Sequence, residues 1–223
     1  HGYTTFSSYF AALMKDKKLM DEFLDRMTIN VSEFWRNPNR WHVLKDKYLA
    51  EMVRSGARLK LWSAACSTGE EPYTLAMILD SMGALDRVHI LATDIDEHAL
   101  AKAKEGVYQE RSVKEVPKEY LHAYFQKDQG LYRVDVRLKQ SVEFRKHNLL
   151  LDPFPDQYDL IVCRNVMIYF TEEAKAVLYR KFAEALKPEG ILFVGSTEQI
   201  FNPHQYGLES ADTFFYRRLR QHV

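Results

Sequence analysis

From Leu59 onward the chain alternates short apolar runs with amphipathic stretches, and that rhythm sets the architecture. LKLWSAA, RVHILATD, YDLIVCRN and ILFVGS are rich in Leu, Ile and Val and show little polar alternation, the mark of strands buried on both faces. Between them, EEPYTLAMILDSMG, DEHALAKAKEG and TEEAKAVLYRKFAEALKPEG carry apolar residues at helical spacing. Strand and helix in turn predict right-handed crossover units and a parallel sheet covered on both sides. Ahead of Leu59 the pattern is helical: Phe6, Phe10, Leu13, Met14, Met20, Leu24 and Met27 fall near helical spacing, and residues 41–55 form a second amphipathic helix ended by Gly56. Residues 107–147 break the rhythm. They hold a short helix around Val116 to Phe125, then GLYRVDVRLKQSVEFRKHN, whose alternation predicts inserted antiparallel strands; its last run, SVEFRKH, also reads as a central strand of the main sheet. The C-terminal ADTFFYRRLR predicts a final strand antiparallel to GILFVGS.

This division gives a partial helical domain over residues 1–27, a linker and helix over 28–58, and a sheet domain over 59–223 with its insertion at about 107–147. Lys and Arg together number 31, as do Asp and Glu, so the formal net charge is zero and general nucleic-acid binding is disfavoured. The charge is uneven, however: residues 1–60 hold eleven basic against seven acidic side chains, a hint that this end meets an acidic partner. There is no apolar run near the ~20 residues of a membrane span, and HGYTTFSSYF lacks the form of a signal peptide, so the cytoplasm is the expected compartment. Cys66 and Cys163 each end a strand-like run without metal-type spacing; both are expected to be small buried residues, and no metal site is predicted.

In doubly wound sheets the first strand-to-helix loop usually holds the ligand. Here that loop is Ala64-Ala65-Cys66-Ser67-Thr68-Gly69, and it lacks the spacing of a dinucleotide fingerprint. Glu70 and Glu71 follow in the first helical turn, where they would repel a phosphate and suit a cation. Asp94 ends the second strand, where an acidic side chain accepts hydrogen bonds from ribose hydroxyls, while Asp96 is placed to cap the next helix. A ribose and a positive charge without phosphate describe S-adenosylmethionine.

Six stretches, MTINVSEFWR, WSAACSTGEEPYTLA, ILATDID, FRKHNLL, LIVCRNVMIYF and LFVGSTEQI, resemble in succession the signatures of the chemotaxis-receptor glutamate O-methyltransferases, the CheR family. The resemblance runs from about Thr28 to the C-terminus. It implies an α/β class I S-adenosylmethionine-dependent methyltransferase fold, Rossmann-like, with a small inserted antiparallel β-subdomain and an N-terminal helical segment. It also implies methyl esterification of glutamates on the cytoplasmic domains of chemoreceptors, with S-adenosylhomocysteine as the product.

For the site, the resemblance implies that Asn30, Ser32 and Arg36 reach the cofactor from the linker, that Glu71 rather than Glu70 contacts it, that Asn148 and Leu149 meet the adenine, and that Asn165 and Val166 line the methionyl part. Ala64 and Asp94 complete the expected cofactor set. Arg36 and Tyr169 are the expected catalytic residues. The guanidinium fork of Arg36 suits a carboxylate, and the Tyr169 hydroxyl orients it. A glutamate of ordinary pKa, about 4.3, is already ionised at neutral pH, so no general base is required; the eight histidines, only His147 among them in a matched stretch, are read as surface or structural. The family also implies further helices ahead of His1; Lys15, Lys17 and Lys18 read equally as a receptor contact or as a solvated face. Some relatives bind a receptor's C-terminal pentapeptide on the β-subdomain, but QKDQGLYRV is shorter than their loop, so recognition without that tether is expected, by a monomer. The competing readings are a methyltransferase acting on another carboxylate and a module that senses S-adenosylmethionine without turnover.

Overall fold

The computed structural model describes residues 32–220 and, ahead of them, Tyr9, Ala12, Asp16 and Leu19. Those four belong to a first compact unit, residues 1–31, where Tyr9, Ala12 and Leu19 are helical and the Asp16 carboxylate accepts the Leu19 N–H at 3.2 Å. The remainder of the helix expected over residues 6–27, with Lys15, Lys17 and Lys18, lies outside the described residues, as does Asn30.

The second unit opens with α1 (Pro38–Val43), which runs through a π-helical turn (Leu44–Leu49) into α2 (Ala50–Arg54). The helix starts ahead of Trp41 because Pro38 presets φ in the first turn, where its missing N–H costs nothing. Trp41, Leu44, Tyr48 and Leu49 are its buried face. Next come β1 (Leu59–Ala64), α3 (Glu70–Ser81), β2 (Val88–Asp94) and α4 (Glu97–Glu105). The insertion follows as β3 (Val107–Gln109), α5 (Lys118–Tyr124), β4 (Phe125–Asp128), β5 (Leu131–Val134) and α6 (Val136–Ser141), and then come β6 (Val142–Lys146), β7 (Tyr158–Cys163), α7 (Glu172–Ala185), β8 (Leu186–Val194), β9 (Leu208–Asp212) and β10 (Phe215–Arg218).

The main sheet has the order β6-β2-β1-β7-β8-β10-β9, with the first five strands parallel and β10 antiparallel to both its neighbours. Period-two alternation divides the core. Leu61, Leu160, Val162, Ile191 and Phe193 pack on one face with α1 and α3, whereas Trp62, Ile161, Cys163, Leu192 and Val194 pack on the other with Phe182 of α7. The chain steps outward from β1 to β2 and β6, then returns to β7 on the other side of β1. The topological switch point therefore lies between the carboxyl ends of β1 and β7. Cys66 and Cys163 are both buried free thiols, as expected.

A separate three-stranded antiparallel sheet, β3-β5-β4, forms in the insertion. The expected strands do not continue through DVRLKQS, which is α6. Asp135 caps it by accepting the Arg137 N–H at 2.8 Å, and Val136, which mimicked an inward strand position, is 61% exposed. SVEFRKH contributes β6, which is parallel to β2 at an edge of the main sheet rather than central, and its exposed Glu143, Arg145 and Lys146 suit an unpaired edge. The final strand β10 pairs with β8 as expected, while β9, whose polar LESAD carries no apolar alternation, was not legible. Among the described residues no helix is long and apolar enough to cross a membrane.

Candidate active site

The loop after β1 is bent by three left-handed residues at alternate positions: Ala65 (φ 59°), Ser67 (φ 48°) and Gly69 (φ 94°). Glycine is required at 69, since a Cβ there would stand 2.9 Å from the Ala103 Cβ on α4. The other two hold strain of about 1–3 kcal/mol each, which the surroundings must impose. They do so through hydrogen bonds: Cys66 N–H donates to Thr93 O (2.9 Å), Ser67 N–H to Asp94 Oδ2 (2.7 Å), and the Tyr108 hydroxyl to Thr68 O (2.6 Å). Asp94 Oδ1 accepts the Asp96 N–H (2.9 Å), so both oxygens are fixed yet keep lone pairs for a ligand. Burial raises the Asp94 pKa, against the pull of those backbone donors. Asp96 caps α4, accepting from the His98 and Ala99 amides at 2.8 and 3.2 Å.

The adjacent glutamates part company. Glu70 is buried and turned back on the loop, where the Thr68 hydroxyl lies 2.7 and 2.9 Å from its two oxygens and Ser32 also bonds to it. Glu71 points elsewhere: its Oε1 accepts the Ser63 hydroxyl at 2.7 Å, and its charge is felt by Arg164 and Arg36. Desolvation pushes the Glu71 pKa up to about 7, with Arg164 and the Ser63 bond working against it. A carboxylate so placed is relieved by an incoming cation.

Arg36 is fixed through its backbone. Phe34 and Trp35 are buried anchors, Phe34 edge-on to Tyr108 (4.8 Å) and Phe125 (5.1 Å), and Trp35 against Tyr120 (4.6 Å) with its N–H on the Thr74 hydroxyl (3.4 Å). Trp35 (φ 57°) and Asn37 (φ 62°) are left-handed on either side of Arg36, and its carbonyl accepts both the Trp41 indole N–H (3.1 Å) and Arg164 Nη2 (2.9 Å). Arg164 is itself buried, its guanidinium over the rings of Phe193 (4.8 Å) and Trp41 (5.4 Å). Burial lowers its pKa and nearby Glu71 raises it.

Beyond β7, Asn165 is left-handed (φ 62°) and partly exposed, Val166 opens the 3-10 turn Met167–Tyr169, and Tyr169 is 60% exposed while Phe170 packs on the core. Ala64 is buried at the end of β1. On the β6 side, Asn148 spends its side-chain oxygen on the Leu150 and Leu151 amides (2.9 and 3.3 Å), shaping a corner. Its N–H donates to Asp152 (2.8 Å), and Lys181 of α7 closes the corner by donating to the carbonyls of Leu149 and Asp152, both at 2.9 Å. Leu149 is buried. His147 is buried too, its Nε2 3.1 Å from Pro153 O, a structural rather than surface histidine.

The structure thus gathers Ala64, Glu71, Asp94, Arg36, Asn165 and Val166 at the carboxyl ends of β1, β2 and β7. Ser32 reaches Glu70 instead of standing free. Sequence reading missed Ser63, Arg164, Lys181 and Glu198. Arg164 and Glu198 did stand inside matched stretches, Arg164 directly after an apolar run and Glu198 separated from one by three residues; that they are buried was not legible, because burial is decided by residues far away in sequence.

Residues 30–215 match the CheR methyltransferase, SAM-binding domain. The chain is similar to the chemotaxis protein methyltransferases of Listeria monocytogenes and Listeria innocua, 45% and 43% identical over 96% of this chain and 82% of each relative. That of Escherichia coli is 36% identical over 88% of this chain and 71% of its own length. The protein therefore belongs to the CheR family of S-adenosylmethionine-dependent methyltransferases.

Proposed function

We propose that this protein transfers the methyl group of S-adenosylmethionine to glutamate side chains on the cytoplasmic domains of chemoreceptors, forming methyl esters in chemotactic adaptation, and that it acts as a cytoplasmic monomer. The observation that carries this reading is the pairing of Glu71, a carboxylate destabilised by burial, with Arg36, whose segment is anchored at both faces and at its carbonyl. One residue invites a cation and the other a carboxylate.

Bound S-adenosylmethionine supplies the electrophilic methyl group and the positive charge. Glu71 is assigned to that charge, Asp94 to the ribose hydroxyls, the corner of Asn148 and Leu149 to the adenine, and Asn165 with Val166 to the methionyl part. Ala64 leaves room for close approach and Ser32 steadies Glu70. Arg36 holds the acceptor glutamate through its planar fork, and the exposed Tyr169 hydroxyl orients it. Since the acceptor is ionised near neutral pH, alignment and exclusion of water are the main demands, and no histidine is needed.

Transfer of labelled methyl to a receptor cytoplasmic fragment as a base-labile ester is the test. Arg36→Ala is expected to remove most of that transfer while affinity for S-adenosylhomocysteine, titrated calorimetrically, stays within a few-fold; Asp94→Ala is expected to weaken the affinity itself. Normal turnover by the Arg36 variant would overturn the substrate assignment. Label passing only to small carboxylic acids would identify a different acceptor.

A further inference from the structure

Glu198, in the loop after β8, is a buried carboxylate that the proposed chemistry does not use, 3% exposed. Among the described residues, each hydrogen bond to its carboxylate comes from a backbone donor, while Arg164 and Glu71 lie within electrostatic reach. Oε2 accepts the N–H of Asn165 (2.7 Å) and of Gly195 (2.8 Å), and Oε1 accepts the N–H of Met167 (2.7 Å). The three short distances mark charge-assisted bonds, stronger than those between neutral groups. Two of the donors belong to the turn after β7 that carries Asn165, Val166 and Tyr169, and Tyr169 N–H closes the same turn on Val166 O (3.1 Å). Asn165 sits at φ 62°, a conformation an L-residue holds only when something imposes it. The approach is close from the other side as well, since a Cβ on Gly195 would lie 2.6 Å from Glu198 Oε2 and 2.9 Å from the Asn165 nitrogen.

We propose that Glu198 is a positioning residue for methyl transfer: its carboxylate locks the Asn165–Tyr169 turn to the end of β8, so that the face toward the cofactor and the tyrosine toward the acceptor are set together. It touches neither reactant and acts through the turn. This rests on the roles proposed above for Asn165, Val166 and Tyr169.

Glu198→Gln keeps the shape but turns an amide N–H₂ toward at least one backbone donor. The full chain carrying it is expected to remain folded, to turn over receptor fragment at saturating S-adenosylmethionine at least tenfold more slowly when assayed well below its melting temperature, and to bind S-adenosylhomocysteine a few-fold to tenfold less tightly. The amide proton resonances of Asn165 and Met167, shifted downfield in the wild type by the carboxylate, are expected to move upfield. A role in folding alone would lower the melting temperature and leave turnover of the folded enzyme unchanged, and that result overturns the proposal. So do unmoved amide resonances, which remain readable even if the wild type methylates no receptor fragment and the functional reading itself fails. Gly195→Ala crowds the same carboxylate and the same nitrogen without needing an unusual φ. It is expected to reproduce the loss of turnover, and wild-type turnover in a folded Gly195→Ala enzyme equally overturns the proposal.

Discussion

Glu70 and Glu71 are neighbours in sequence and opposites in surroundings. Thr68 and Ser32 occupy Glu70, whereas Glu71 has a hydroxyl at 2.7 Å and two guanidiniums within electrostatic reach. Glu71→Gln is therefore expected to weaken S-adenosylmethionine binding by at least tenfold, and Glu70→Gln to change it less than threefold while lowering thermal stability; calorimetric titration beside thermal melts separates the two. Equal losses of affinity in both variants would remove the distinction. Arg164 works through Arg36 by a similar logic. Arg164→Met keeps much of the packing on Trp41 and Phe193 but removes the donor to the Arg36 carbonyl, a charged hydrogen bond of about 1.5–3 kcal/mol. Turnover is expected to fall by about 10- to 100-fold, the equivalent of that range, which single-turnover methyl transfer would measure.

At the scale of elements, the apolar runs announced themselves because β1, β7 and β8 are buried on both faces and so need continuous hydrophobicity. Where one face meets water, local pattern was ambiguous: Val134, Val136 and Leu138 alternate like a strand, yet Asp135 caps a helix between them. The site divided in the same way. Glu71 and Asp94 were legible because they close a strand or open a helix at the switch point, where ligands lie. Glu198 and Lys181 were not, because each acts on a loop distant in sequence and its neighbours say nothing of that partner. The paired acids after β2 show how an element separates two roles. Asp94 ties β2 to the first loop and Asp96 starts α4, so Asp96→Ala is expected to lose about 1 kcal/mol of stability, as N-cap deletions do, with affinity for S-adenosylhomocysteine within threefold of wild type. Denaturant unfolding and titration of Asp96→Ala beside Asp94→Ala check this, since only the latter is expected to lose the ligand.

For the whole molecule, the half-buried, desolvated acid at the cleft links stability to pH and to ligand. Glu71 has a folded pKa of about 7 against an ordinary 4.5, so folding favours its protonated form. Its contribution is fully present below the unfolded value and is lost as pH rises through the folded one, so the ligand-free protein gives up stability between about pH 4.5 and 7 on this account. A cation bound beside Glu71 favours the ionised form and reverses the penalty. Binding should therefore strengthen by up to about tenfold per pH unit as pH rises towards 7, where the protonated carboxyl must release its proton, and then level off. At a hundredfold excess over its dissociation constant a ligand adds about 2.7 kcal/mol, and in a chain of this size each kcal/mol moves the melting temperature by about 2–4 °C. The rise in melting temperature on adding a fixed concentration of S-adenosylmethionine is thus expected to be larger at pH 7.5 than at pH 5.5. In Glu71→Gln, whose amide does not titrate, the difference between the two pH values should shrink, leaving what Asp94 contributes through its own raised pKa. A shift with the same pH dependence in Glu71→Gln as in the wild type would place the titrating group elsewhere and remove Glu71 from the cation site.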